Sequence, residues 1–100
     1  MSQQSKEEAM RFLANVPAGK VFWCHDGSTL QSMADLAKAL AGMADETYNF
    51  HVNGEKNDFV SWVRDVIGDM KLAADLLAAG NRDKAARQAI NRVRTLTKRT

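Results

Sequence analysis

The stretch Asn57-Asp58-Phe59-Val60-Ser61-Trp62-Val63-Arg64-Asp65-Val66-Ile67-Gly68-Asp69-Met70-Lys71-Leu72-Ala73-Ala74-Asp75-Leu76-Leu77 decides how this chain is read. Asn57 is a strong helix N-cap, and Asp58 behind it suits the positive end of the helix dipole. Phe59, Trp62, Val63, Val66 and Ile67 recur at helical spacing and give one apolar face. Gly68 ends that helix, and Asp69 caps a second one carrying Leu72, Ala73, Leu76 and Leu77. Two short capped helices separated by a single glycine set the grammar for the rest.

Downstream, Gly80 stops the second helix and Asn81 caps a third, with Ala86, Ala89, Ile90, Val93 and Leu96 as its apolar stripe. Upstream, Ser32 with Asp35 opens a helix holding Met33, Leu36, Ala37 and Leu40 and ending near Gly42. Asp45 can cap a short helix through Tyr48, His51 and Val52, followed by a polar loop, Asn53-Gly54-Glu55-Lys56. Ser5 with Glu8 forms a capping-box pattern for a first helix over Ser5–Val16, stopped by Pro17 and Gly19. Between them Lys20–Gln31 reads as a hairpin: Val21-Phe22-Trp23-Cys24 is the densest β-forming run, and Asp26-Gly27 suits a type I′ turn. A helix beginning at Ser28 is the competing reading. The expected fold class is mainly α, a compact bundle of five or six short helices with one small β-hairpin over about residues 20–31. Its expected core is Phe22 or Trp23, with Leu36, Leu40, Phe50, Phe59, Trp62, Val66, Leu72 and Leu76.

One hundred residues fit one domain, and a chain of that size buries enough surface to fold without disulfides or a structural metal. With 45% hydrophobic and 26% charged residues it is too apolar for disorder. The longest apolar runs have four residues, Val21–Cys24 and Leu76–Ala79, so no bilayer span is expected. The opening Met-Ser-Gln-Gln-Ser-Lys-Glu-Glu is unlike a signal peptide, and the single Cys24 fits a reducing cytoplasm.

The segment Phe50-His51-Val52, then Asn57-Asp58-Phe59-x-x-Trp62-Val63-x-Asp65-Val66-x-Gly68-Asp69-x-x-Leu72-Ala73, resembles a family of small domains of unknown function found in archaeal and bacterial proteins. Asp26-Gly27 followed by Ser32 and Leu36 is similar to that family's upstream pattern. The resemblance covers residues 20–77 and leaves out the first and last helices. It implies a shared fold unit and brings with it no activity, cofactor or catalytic residue.

Few residues invite chemistry. Cys24, His25 and His51 are the only Cys and His, and zinc needs more ligands at recognisable spacing. On a strand His25 would point away from Cys24, which also argues against a Cys–His nucleophile pair. No phosphate-binding glycine loop, H-E-x-x-H or G-x-S-x-G occurs, so no cofactor and no enzymatic activity are expected. One polar cluster is conceivable: His51 meeting Asp58 or Asp65. Asp69 is better explained as a cap.

Charge is the remaining signal. Residues 81–100 carry seven basic residues against Asp83 alone, while residues 1–80 carry seven basic and eleven acidic. The overall +2 therefore hides a basic tail on a mildly acidic body. Arg82, Lys84, Arg87, Arg92, Arg94 and Lys98 are the candidate binding residues; Lys84, Arg87, Arg94 and Lys98, with Arg92 beside them, spread over the face opposite Ala86, Ile90 and Val93. Arginine outnumbers lysine five to two there, which favours bidentate phosphate or carboxylate contacts. The functional expectation is a non-enzymatic binding or adaptor module with a protein partner. The alternative is weak, sequence-independent nucleic-acid binding through this helix.

Overall fold

A computed structural model describes residues 3–100, with side chains from residue 5 onward. The elements run α1 (Gln3–Leu13), β1 (Phe22–Trp23), β2 (Thr29–Leu30), α2 (Met33–Gly42), α3 (Asp45–His51), β3 (Val52–Asn53), β4 (Lys56–Asn57), α4 (Asp58–Trp62), α5 (Met70–Ala78) and α6 (Arg82–Arg99). A 3₁₀ turn over Ala18–Lys20 leads into β1, and α4 widens into a π-helical segment, Val63–Ile67. The expected mainly helical bundle with a small hairpin is what forms.

Local chemistry sets most boundaries. The Ser32, Asn57, Asp69 and Asn81 side chains each accept the backbone N–H three residues on, capping α2, α4, α5 and α6. Gly68 and Gly80 take positive φ, 90° and 82°, where a helix end needs the left-handed conformation. Two expected ends shift. The first helix already runs at Gln3, so Ser5 lies inside it, and it stops at Leu13. Val16 lies outside it, its N–H donating to the Gln31 carbonyl at 2.7 Å, because the residue before Pro17 disfavours helix. At α3 the cap position is Ala44, and Asp45 occupies the first turn.

Both strand pairs are antiparallel. The first hairpin pairs Phe22 with Leu30 and Trp23 with Thr29. Its turn is not type I′, since among the described residues none other than glycine has positive φ. Gly27 alone is left-handed, at 94°, and its N–H donates to the Cys24 carbonyl at 2.9 Å. That is the three-residue hairpin loop. A second hairpin stands where the polar loop was expected: Val52 pairs with Asn57 and Asn53 with Lys56. Asn53 Oδ1 holds its two-residue bend by accepting the Glu55 N–H at 3.0 Å.

The core forms where α6 lies along α2, flanked by α1 and α5. Met33, Leu36, Leu40, Phe59, Val63, Leu72, Leu76 and Leu96 are its fully enclosed large side chains, joined by Phe22 and Trp62. The Trp62 Nε1–H donates to the Lys20 carbonyl at 2.8 Å, tying α4 to the entry of the first hairpin. Of the two aromatics offered for the first strand Phe22 is the core residue, and two other core expectations change. Strand alternation turns Phe22 inward and leaves Trp23 74% exposed. Phe50 is half-exposed at the end of α3, and Val66 is only partly buried beside the core.

Candidate functional site

Two groups of polar side chains stand out, one inside the fold and one on its surface. The inner one centres on His51, buried at the C-terminal end of α3. Its Nδ1 lies 2.9 Å from Asp58 Oδ2, and its Nε2 accepts the His25 backbone N–H at 2.9 Å. An unprotonated Nε2 leaves the ring hydrogen on Nδ1, donating to the Asp58 carboxylate. Lys56 Nζ donates to the same oxygen of Asp58 at 2.9 Å. That ammonium also stands 4.9 Å from the Phe50 ring centre, and the His25 ring stacks on Phe50 at 3.8 Å. The result is a closed circuit joining the turn of the first hairpin, α3, the second hairpin and the start of α4.

Burial alone would raise the Asp58 pKa. The hydrogen bonds from His51 and Lys56, with the charges behind them, outweigh it and hold the carboxyl below its ordinary value. Both nitrogens of His51 are spent on intramolecular bonds, and Phe22 and Phe59 enclose its ring at 5.0 and 5.2 Å. A base must reach the proton it takes, and this imidazole has no free nitrogen to offer. Asp65 does not join the cluster. It points to solvent and pairs with Arg64 at 2.9 Å, which lowers its pKa. The buried Cys24 is a free thiol and His25 is exposed, so the neighbours face apart. Among the described residues no group of three or more His, Cys, Asp or Glu is placed to hold a metal.

The surface group is on α6, and here the structure divides the six basic candidates. Arg92 is not on the solvent face. It is buried and forms a bidentate pair with Asp69, Nε to Oδ2 at 2.7 Å and Nη2 to Oδ1 at 3.1 Å, with Asp69 1% exposed. Arg82 is also committed internally. Its Nε donates to Asp45 at 2.7 Å and its Nη1 to the Leu40 carbonyl at 2.9 Å, closing the last turn of α2. Asp45 and Asp83 raise its pKa further. Ala85, Ala86, Ala89, Arg92 and Leu96 are the buried residues of α6, while Ile90 reaches the surface. The helix is thus rotated by roughly 50° from the expected stripe. Small alanines let it lie close to α2, and Arg92 must face Asp69.

That rotation puts the remaining four cations in one row. Lys84, Arg87, Arg94 and Lys98 are exposed, and none has an ion pair or side-chain hydrogen bond among the described residues. With Asn91 they recur at alternating steps of three and four residues, on the line directly opposite the buried side. The row spans about 21 Å along the axis. An open cleft of about 330 Å³ between α5 and α6 includes Lys84, Arg87, Gln88 and Asn91 in its walls, together with Asp75. Asp75 is already paired with Lys71 at 2.8 Å, so it leaves the row uncompensated. Lys56 and His25 are the site residues that sequence reasoning missed. Their partners lie across the fold, and only the glycine-marked turns beside them hinted at hairpins.

Among the described residues no helix is long and apolar enough to cross a membrane. Compared with family models, curated proteins and solved structures, the chain finds no match in any of the three.

Proposed function

We propose that this protein is a non-enzymatic binding module that takes an anionic partner on the exposed row of α6. The observation that carries the reading is the contrast within the helix. Arg82 and Arg92 are spent on the fold, whereas Lys84, Arg87, Arg94 and Lys98 stand in line and unpaired. Charges that no carboxylate pairs with remain available to an anionic partner. The same reading treats the His51–Asp58 circuit as a brace between the two hairpins, and it places the chain in a reducing cytoplasm, where the buried Cys24 stays a thiol. Membership of residues 20–77 in the small archaeal and bacterial family belongs to the proposal too. The motif residues support it by acting as a unit: Asn57 caps, Asp58 holds His51, and Phe59 and Trp62 fill the core.

An acidic protein surface and a nucleic-acid backbone both answer to this description, and one titration reads both. Four phosphate contacts imply a loss of about 100-fold in affinity between about 50 and 200 mM salt. The full chain is titrated with fluorescent duplex DNA, duplex RNA and polyglutamate at both salts. Micromolar binding to at least one of them, with that salt dependence and its loss in the Arg87→Glu/Arg94→Glu variant at unchanged melting temperature, is expected. Absence of binding to all three at the lower salt refutes the proposal.

A further inference from the structure

We infer that the anionic partner is duplex DNA, and that α6 lies in the major groove with Gln88 and Asn91 meeting base edges between Arg87 and Arg94. This rests on the binding reading above and narrows it. About half the circumference of α6 is free, and a helix with its side chains is about as wide as the major groove. The crest of that free half carries Lys84, Arg87, Asn91, Arg94 and Lys98, with Gln88 and Thr95 beside it on the α5 side and no carboxylate on the helix after Asp83.

The amides separate a reader of bases from a mere cation strip. Cations alone suffice for an acidic protein surface. Gln88 and Asn91 instead offer paired donors and acceptors, and neither makes a side-chain hydrogen bond among the described residues. That donor–acceptor pair matches the N6 and N7 edge of adenine, as an arginine fork matches O6 and N7 of guanine. Arg87 and Arg94 are about 10.5 Å apart along the axis, the rise of about three base pairs, with Asn91 between them. Lys84 and Lys98, at the ends of the row, are placed for phosphates, where a flexible point charge suffices. The duplex and its sugar follow by the same logic. The helix has no aromatic residue on which single-strand bases could stack, and the deep, narrow major groove of duplex RNA does not admit side chains to its bases.

The test is selection by the full chain from a random duplex DNA pool, followed by titration of the enriched and scrambled duplexes. An enriched motif of about three base pairs containing guanine and adenine is expected. Asn91→Ala should cut the preference for that motif by about 10-fold or more without changing the salt dependence. Arg94→Ala should both relax the preference and reduce the salt slope by about one. Salt-steep binding with no enriched motif, untouched by Asn91→Ala, overturns this inference and leaves the binding reading standing. Binding of polyglutamate but not DNA does the same. Binding of nothing overturns both.

Discussion

Removing the Arg92 guanidinium should cost more stability than removing any of the exposed cations on the same helix. Asp69 is 1% exposed and sits at the start of α5, where one oxygen also accepts the Leu72 N–H at 3.1 Å. In the Arg92→Ala variant that carboxylate stays buried with only its cap bond, and breaking a buried pair from one side costs about 3–5 kcal/mol. Against a usual stability of about 5–15 kcal/mol this is a large fraction of the total. With urea slopes of about 1–3 kcal/mol per molar, the unfolding midpoint should fall by at least about 1 M. The exposed Arg87→Ala serves as control and should stay within about 0.5 kcal/mol. Because Asp69 is also a cap, the informative double variant is Asp69→Ser with Arg92→Met, which keeps a capping oxygen and fills the site with apolar atoms. It should recover to within about 1 kcal/mol of the parent, since desolvation offsets most of what an intact buried pair gains. A loss below about 1 kcal/mol for Arg92→Ala would refute the reasoning, because it would mean the pair is hydrated and Arg92 free for a ligand.

Other outcomes follow from the same structure. Trp62→Ala should cost about 3–5 kcal/mol by chemical denaturation, because the ring is buried and its N–H holds the Lys20 carbonyl. Gly68→Ala should lower stability by about 1–2 kcal/mol on account of φ alone, since an added Cβ would meet only Phe12 at an ordinary 3.9 Å. The depressed Asp58 carboxyl contributes stability that is full above its ordinary value of 3.8 and is lost as pH falls through its folded value. Unfolding midpoints of the parent and Asp58→Asn, followed from about pH 5 to pH 1, should therefore converge on acidification, and a gap that stays constant would exclude Asp58 as its source.

What the sequence by itself determined is local. The caps at Ser32, Asn57, Asp69 and Asn81 act within three residues of themselves, so each was legible, as were the left-handed glycines that close two of the helices. The first hairpin was legible from its β-forming run, but not which aromatic it buries. In a strand of two residues, the pairing of Phe22 with Leu30 alone selects the inner face. The second hairpin, Val52–Asn53 with Lys56–Asn57, carries no alternation to betray it and is closed by the Asn53 side chain accepting the Glu55 N–H. Only the tertiary structure decided the fate of the charges. Arg82 and Arg92 look like their neighbours in sequence, yet their partners Asp45 and Asp69 lie 37 and 23 residues away. Burying an arginine requires a carboxylate from another element, and periodicity along one helix cannot supply that information. The exposed row on α6 is what remains after that selection: its four cations were among the six candidates legible in the sequence, and only the fold removed Arg82 and Arg92 from them.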